Sequence, residues 1–97
     1  MSVYVILENE IHDHEAYERY KAAVKPMLEA AGGEYLVRGG AVTVMAGDWS
    51  PGRVVMFRWP DRATMEAFFA SEEYAPWKAL RESVTTTKTL VMFEGMD

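Results

Sequence analysis

The segment Val3-Tyr4-Val5-Ile6-Leu7 constrains the fold more than any other feature of this chain. Its β-branched and aromatic residues favour a strand. In a strand, alternate side chains point to opposite faces, so Val3, Val5 and Leu7 form one face and Tyr4 and Ile6 the other. Both faces are apolar, and a strand of this kind must be covered on both sides. The chain therefore needs one layer over each face of a sheet.

The rest of the sequence supplies one layer. Asp13 reads as a helix N-cap, with Glu15 in the first turn. Tyr17, Tyr20, Val24, Met27, Leu28 and Ala31 follow at helical spacing, and Gly32-Gly33 ends the helix. Pro26 inside it removes one backbone hydrogen bond, so a kink or an early end is expected. Tyr35 to Arg38 is a second strand, interrupted by Gly39-Gly40 and resumed over Ala41 to Met45. Gly47 to Gly52 is a hairpin loop, and Ser50-Pro51-Gly52-Arg53 fits a type II turn with positive φ at Gly52. Arg53 to Trp59 is a third strand, apolar on both faces except at Arg53 and Arg58. Asp61 caps a short helix carrying Met65, Phe68 and Phe69. Ser71-Glu72-Glu73 starts another helix with an acidic first turn, and Tyr74, Trp77, Leu80 and Arg81 share one of its faces. Thr85 to Phe93 is the last strand.

The order β-α-β-β-α-β, its second helix broken in two, predicts an α+β ferredoxin-like sandwich spanning residues 1–97 as one domain. Its four-stranded antiparallel sheet has strands 1 and 3 in the centre and the helices on one face. The other face still carries apolar residues from every strand. At roughly 25 cal/mol per Å², leaving them wet would be costly for so small a core, so a second copy of the chain is the expected cover.

Charge and composition narrow the partners. The net charge is −5 and the pI about 5.0, which disfavours nucleic-acid binding. There is no cysteine, so disulfides, thiolate nucleophiles and cysteine-ligated metals are excluded. Val3 to Leu7 is too short to span a bilayer, and no basic-then-apolar stretch opens the chain. The expectation is a soluble cytoplasmic protein without membrane or nucleic-acid partners.

Several segments together resemble a known family: Tyr35-Leu36-Val37-Arg38-Gly39-Gly40; Ala46-Gly47-Asp48-Trp49 with Pro51 and Arg53; and Ser71-Glu72-Glu73-Tyr74 with Arg81. The pattern is similar to the domain-of-unknown-function family numbered 1330, from the first strand to the last. It departs from that pattern at His14, Arg58, Phe68 and Trp77. The resemblance implies the dimeric α/β barrel superfamily, whose members include cofactor-free monooxygenases and small enzymes acting on aromatic or lactone substrates. It implies no particular reaction.

The candidate ligand-binding residues are Tyr35, Arg38, Asp48, Trp49, Arg53, Tyr74, Arg81 and His12. Arg38 precedes two glycines that let a ligand or another backbone come close, and its guanidinium could hold a carboxylate or enolate bidentately. An ion pair across the hairpin or the dimer interface would explain it equally well. Asp48, Trp49 and Arg53 bracket the hairpin turn, where they would form either a lid or, by a preference of about two to one, a clasp on the partner subunit. Tyr74 could donate to a ligand oxygen and Arg81 neutralise its charge; a core aromatic stripe is the alternative, and Trp77 belongs to the core. Arg58 is better read as half of an ion pair than as a pocket cation. His12 and His14 are the only imidazoles, and His12 is the least implausible base; both also fit an exposed helix start, and H-x-H alone is weak evidence for a metal. No Ser-His-Asp arrangement, P-loop or dinucleotide fingerprint is present.

These residues predict a homodimer with a small, partly apolar pocket between sheet and helices in each subunit. Its sharpest functional form is a cofactor-independent, metal-free enzyme, monooxygenase- or isomerase-like, acting on a small anionic or aromatic metabolite. Arginine and tyrosine would stabilise an enolate or phenolate. The rivals are a non-catalytic ligand-binding dimer and a module that assembles through its sheet face.

Overall fold

A computed structural model describes residues 1–97. The elements are β1 (Val3–Ile11), α1 (His14–Ala30), β2 (Glu34–Arg38), β3 (Arg53–Trp59), α2 (Arg62–Phe69), α3 (Ala75–Val84) and β4 (Thr85–Glu94). The four strands form one sheet in the order β2-β3-β1-β4, and every neighbouring pair is antiparallel. Strands 1 and 3 hold the centre, as the crossover rule expects.

Period-two alternation places the core. Val3, Val5 and Leu7 of β1 pair across to Trp59, Phe57 and Val55 of β3, and all six are buried on the helix side. Against them α1 lays Tyr17, Tyr20, Val24 and Leu28 at steps of three, four and four. Phe57, Trp59, Phe68, Phe69 and Tyr74 form one tilted and edge-on aromatic cluster with ring centroids 4.9–6.5 Å apart.

Local signals explain the helix ends. Asp13 Oδ1 accepts from the Ala16 amide at 3.0 Å, and Asp61 Oδ1 from the Thr64 amide at 2.7 Å. At the other end of α1 the Gly33 amide donates to the Leu28 carbonyl and the Gly32 amide to that of Glu29, a Schellman closure with Gly32 at φ 112°. Gly33 has a second reason to be glycine, since a Cβ there would lie 2.5 Å from Leu28 Cδ2 and 3.0 Å from the Trp59 ring.

Helix α1 runs through Pro26 to Ala30, up to the Gly32-Gly33 stop; Ala22, whose carbonyl loses its partner at Pro26, is exposed, so water can take that bond. Three expectations need correction. The strand expected over Ala41 to Met45 is absent. Gly39, at φ 72°, ends β2 with its amide donating to the Val54 carbonyl, and residues 40–52 leave the sheet as an extended arm. The type II turn is absent too: positive φ falls on Gly47, and the Gly52 amide instead donates to Glu8 Oε2 at 2.9 Å. Finally, α3 starts at Ala75, with no acid in its first turn; Ser71 caps the preceding turn, its Oγ accepting from the Tyr74 amide at 3.2 Å.

The sheet face away from the helices carries Tyr4, Ile6, Val37, Met56, Val91 and Phe93. The arm borders part of it, sharing a groove with Val54 and Met56, while Val37, Val91 and Phe93 stay exposed. No helix is long and apolar enough to cross a membrane.

Candidate functional site

A cavity of about 290 Å³ lies between the sheet and the helices, lined mostly by apolar side chains. For scale, an apolar cavity of about 150 Å³ accepts a benzene ring. The polar groups around it come from four elements.

Helix α1 supplies Tyr17, Tyr20 and Lys21, and α3 supplies Lys78 and Arg81, with Tyr74 just before it. The Tyr20 and Tyr74 hydroxyls meet at 2.7 Å in a buried contact. One of the two donates to the other, which leaves one hydroxyl hydrogen free for a further acceptor. Burial raises the pKa of Tyr20, and the adjacent Tyr74 adds to the effect. Burial also raises that of Tyr74, while its bond to Tyr20 and the charge of Arg81 pull the other way. Both are neutral phenols at pH 7 and act as hydrogen-bond donors.

Arg81 is the least ordinary group in the molecule. It is 7% exposed, its Nε has no hydrogen-bond partner, and no carboxylate pairs with it. A buried guanidinium without a counter-ion is expensive.

The strands supply the other side. Arg38, the last residue of β2, stacks over the Tyr35 ring at 4.8 Å and donates to the Lys21 carbonyl at 2.9 Å. Burial pushes the Tyr35 hydroxyl up to about 12 against the opposing charge of Arg38. Arg53, the first residue of β3, stacks over Tyr17 at 5.0 Å and donates to its hydroxyl at 3.3 Å; Asn9 Nδ2 donates to the same oxygen at 3.4 Å. Gly39 passes against the Arg53 side chain, where a Cβ would stand 3.0 Å from Nε.

The charge pattern separates this site from the rest of the molecule. Of the ten lysines and arginines, six pair with carboxylates: Arg19, Lys21, Lys25, Arg58, Arg62 and Lys88. The four without one are Arg38, Arg53, Lys78 and Arg81, and all four line the cavity. No aspartate, glutamate or histidine lines it. In a chain with fifteen carboxylates, this is a cavity rich in hydrogen-bond donors and without negative charge.

Of the eight candidate residues, Tyr35, Arg38, Arg53, Tyr74 and Arg81 come together at the cavity, and Asp48, Trp49 and His12 do not. Trp49 Nε1 donates to Glu8 Oε1 at 3.2 Å on the opposite face of the sheet, and Asp48 is exposed on the arm. His12 Nε2 lies 2.6 Å from Thr86 Oγ1 at the surface. Arg58 donates to Ser2 Oγ at 2.7 Å and pairs with Asp97 and Glu34 at 3.5 and 3.8 Å, the ion-pair role expected of it. Trp77 packs at the edge of the core. Sequence reasoning missed Asn9, Tyr17, Tyr20, Lys21 and Lys78. Asn9 carried a signal, because it continues the inward series Val3, Val5, Leu7 with a polar group.

The chain has a ferredoxin-like α+β fold, which it shares with several solved structures. It matches the RPA0582 protein of unknown function from Rhodopseudomonas palustris with a TM-score of 0.77 at 15% identity, over 99% of this chain and 83% of the other. The cofactor-independent oxygenase SnoaB from Streptomyces nogalater matches with a TM-score of 0.71 at 13% identity, over 99% and 94%. HapK from Hahella chejuensis matches with 0.62 at 14%, over 99% and 93%. Within that fold the chain belongs to the family of the domain of unknown function DUF1330, whose model matches residues 2–96. No curated protein matches its sequence.

Proposed function

We propose that the protein binds a small organic anion with an apolar or aromatic body in this cavity, and that it acts on that ligand without a cofactor. The observation that carries the reading is the set of four cations without carboxylate partners, all on one cavity, one of them the buried Arg81. The ligand's negative charge replaces the counter-ion that the chain withholds. Its body occupies the apolar remainder.

The lining decides what chemistry is available. Arginines and neutral phenols stabilise an enolate or phenolate, and no carboxylate or imidazole faces the cavity to remove a proton. The substrate therefore arrives ionised or carries an acidic proton of its own. A monooxygenase-like conversion meets that condition with molecular oxygen as the oxidant: the substrate anion gives up the electrons, one oxygen atom enters the product and the other leaves as water. An isomerase-like conversion would need solvent water to take up the proton and return it. SnoaB, a cofactor-independent oxygenase by name, shares the fold and lends support.

Homodimerisation is part of the same proposal. The exposed Val37 on one edge strand, Val91 and Phe93 on the other, and the arm all lie on the face the helices leave open. A second copy laid there would give that face its missing layer. These exposed side chains also favour the rival reading, a dimer that binds or assembles without turnover.

Thermal denaturation with aromatic carboxylates tests the binding reading. A millimolar benzoate-class ligand is expected to raise Tm in the wild type, and the uncharged amide of the same acid to do far less. Loss of that contrast in Arg81→Met would agree; equal shifts from acid and amide in the wild type would refute the anion reading. Oxygen uptake with the bound acids then separates turnover from simple binding.

A further inference from the structure

We infer that the ligand has two heads: two separate anionic groups, one at Arg81 with Tyr20 and Tyr74, the other between Arg38 and Arg53. The inference rests on the anion-binding reading above and sharpens its substrate class to dianionic metabolites with an apolar or aromatic middle.

Charge count comes first. A monocarboxylate at Arg81 neutralises one of the four cations; Lys78 is exposed to water, but the half-buried Arg38 and Arg53 are left without a counter-ion. These two stand as a pair by construction. Arg38 is opposite Val55, two residues from Arg53 on the neighbouring strand, so both project toward the helix side of the sheet. Such diagonal neighbours lie about 7–8 Å apart at their α-carbons, within reach of one bridging carboxylate for long side chains. Like charges held this close repel unless an anion joins them.

Preorganisation comes second. Each guanidinium of the pair is fixed on its own tyrosine, Arg38 on Tyr35 and Arg53 on Tyr17, and Gly39 closes over Arg53. Flexible surface arginines need no such support. The Arg81 head comes from a different element, α3, and lines the same cavity as the paired hydroxyls of Tyr20 and Tyr74. The two heads are thus held by sheet and by helix, with apolar lining such as Leu7, Val55 and Phe57 also facing the cavity.

Titration calorimetry of the whole protein at low ionic strength tests this with benzoate and the three benzenedicarboxylates. At least one dicarboxylate is expected to bind about tenfold tighter than benzoate or better, with a steeper loss of affinity on adding salt. Arg38→Met with Arg53→Met is expected to shrink that advantage to about threefold or less, whereas Arg81→Met weakens benzoate and dicarboxylates together. Arg62→Gln, on the outer surface, should change neither. If benzoate binds and no dicarboxylate binds better, the two-headed inference is wrong while the anion reading stands. If none of the four binds, both are wrong. The wild-type comparison and its salt dependence decide the matter even if the double variant fails to fold.

Discussion

Arg58 and Arg81 make an instructive pair. Arg58 projects from β3 on the open face of the sheet, in contact with water, yet it binds Ser2, Asp97 and Glu34. Arg81 sits on the covered face, almost out of water, and has no carboxylate. Electrostatics alone would predict the reverse, since a buried charge needs a partner more than an exposed one does. The same contrast holds between the faces as wholes. On the open face Glu8 has three donors, from Trp49, Gly52 and Thr89. On the covered face the arginines find only phenols, rings and a backbone carbonyl. The open face is chemically complete but short of an apolar cover. The covered face is packed but short of an anion.

The largest expected effect tests the packing half of that contrast. Phe57→Ala, in the covered core, should cost about 3–5 kcal/mol in urea denaturation. Phe93→Ala, 53% exposed on the open face, should cost under about 1 kcal/mol in dilute protein. Repeating both at high concentration sharpens the result. If a second copy covers the open face, the cost of Phe93→Ala grows with protein concentration and that of Phe57→Ala does not. Equal costs in dilute protein would mean that the faces are not different in the way described.

The two faces also differed in how far the sequence disclosed them. Element order, both aspartate caps, the Gly32-Gly33 stop and the central position of the first and third strands followed from local chemistry, and the structure agrees. Arg38 could be singled out from the double glycine beside it, Arg53 from the turn it brackets, Tyr74 and Arg81 from the helix face they share, and Tyr35 from the segment that resembles the family. What made them a site could not: the lack of carboxylates around Arg81 is a fact about every element packed against it. The arm failed for a related reason. Ala41 to Met45 has strand propensity, but a strand also needs a neighbouring edge, and the turn at Gly39 takes the chain away from one. Trp49 was misleading in the same way, since its partner Glu8 is 41 residues distant.

A smaller effect probes the electrostatic half. Arg81→Met removes a buried, unpaired charge and keeps most of the side-chain volume. The unliganded protein should be no less stable, with a gain on the order of 1 kcal/mol, measured by chemical denaturation. Arg58→Met should instead lower stability slightly, because it strands the partners of an ion pair. A clear loss of stability in Arg81→Met without ligand would mean that Arg81 serves the fold rather than a ligand.

The smallest effect concerns Glu8, which ties the arm to the open face. Its bonds from the Gly52 amide and the Trp49 indole hold its carboxyl below the ordinary value of 4.5. A depressed pKa means that the folded form favours the ionised carboxylate. The tether is therefore complete above the unfolded value and weakens as pH falls through the lower, folded one. Limited proteolysis across pH 5 to 3, with an acid-active protease, should show cleavage within residues 40–51 accelerating as Glu8 protonates, ahead of cleavage in the core strands. Glu8→Gln keeps a single acceptor oxygen and no charge, so its arm should be cut faster at pH 5 and with less dependence on pH. If wild type and variant were cut alike throughout, the carboxylate would not be what holds the arm. The open face would then lose its claim to be electrostatically complete.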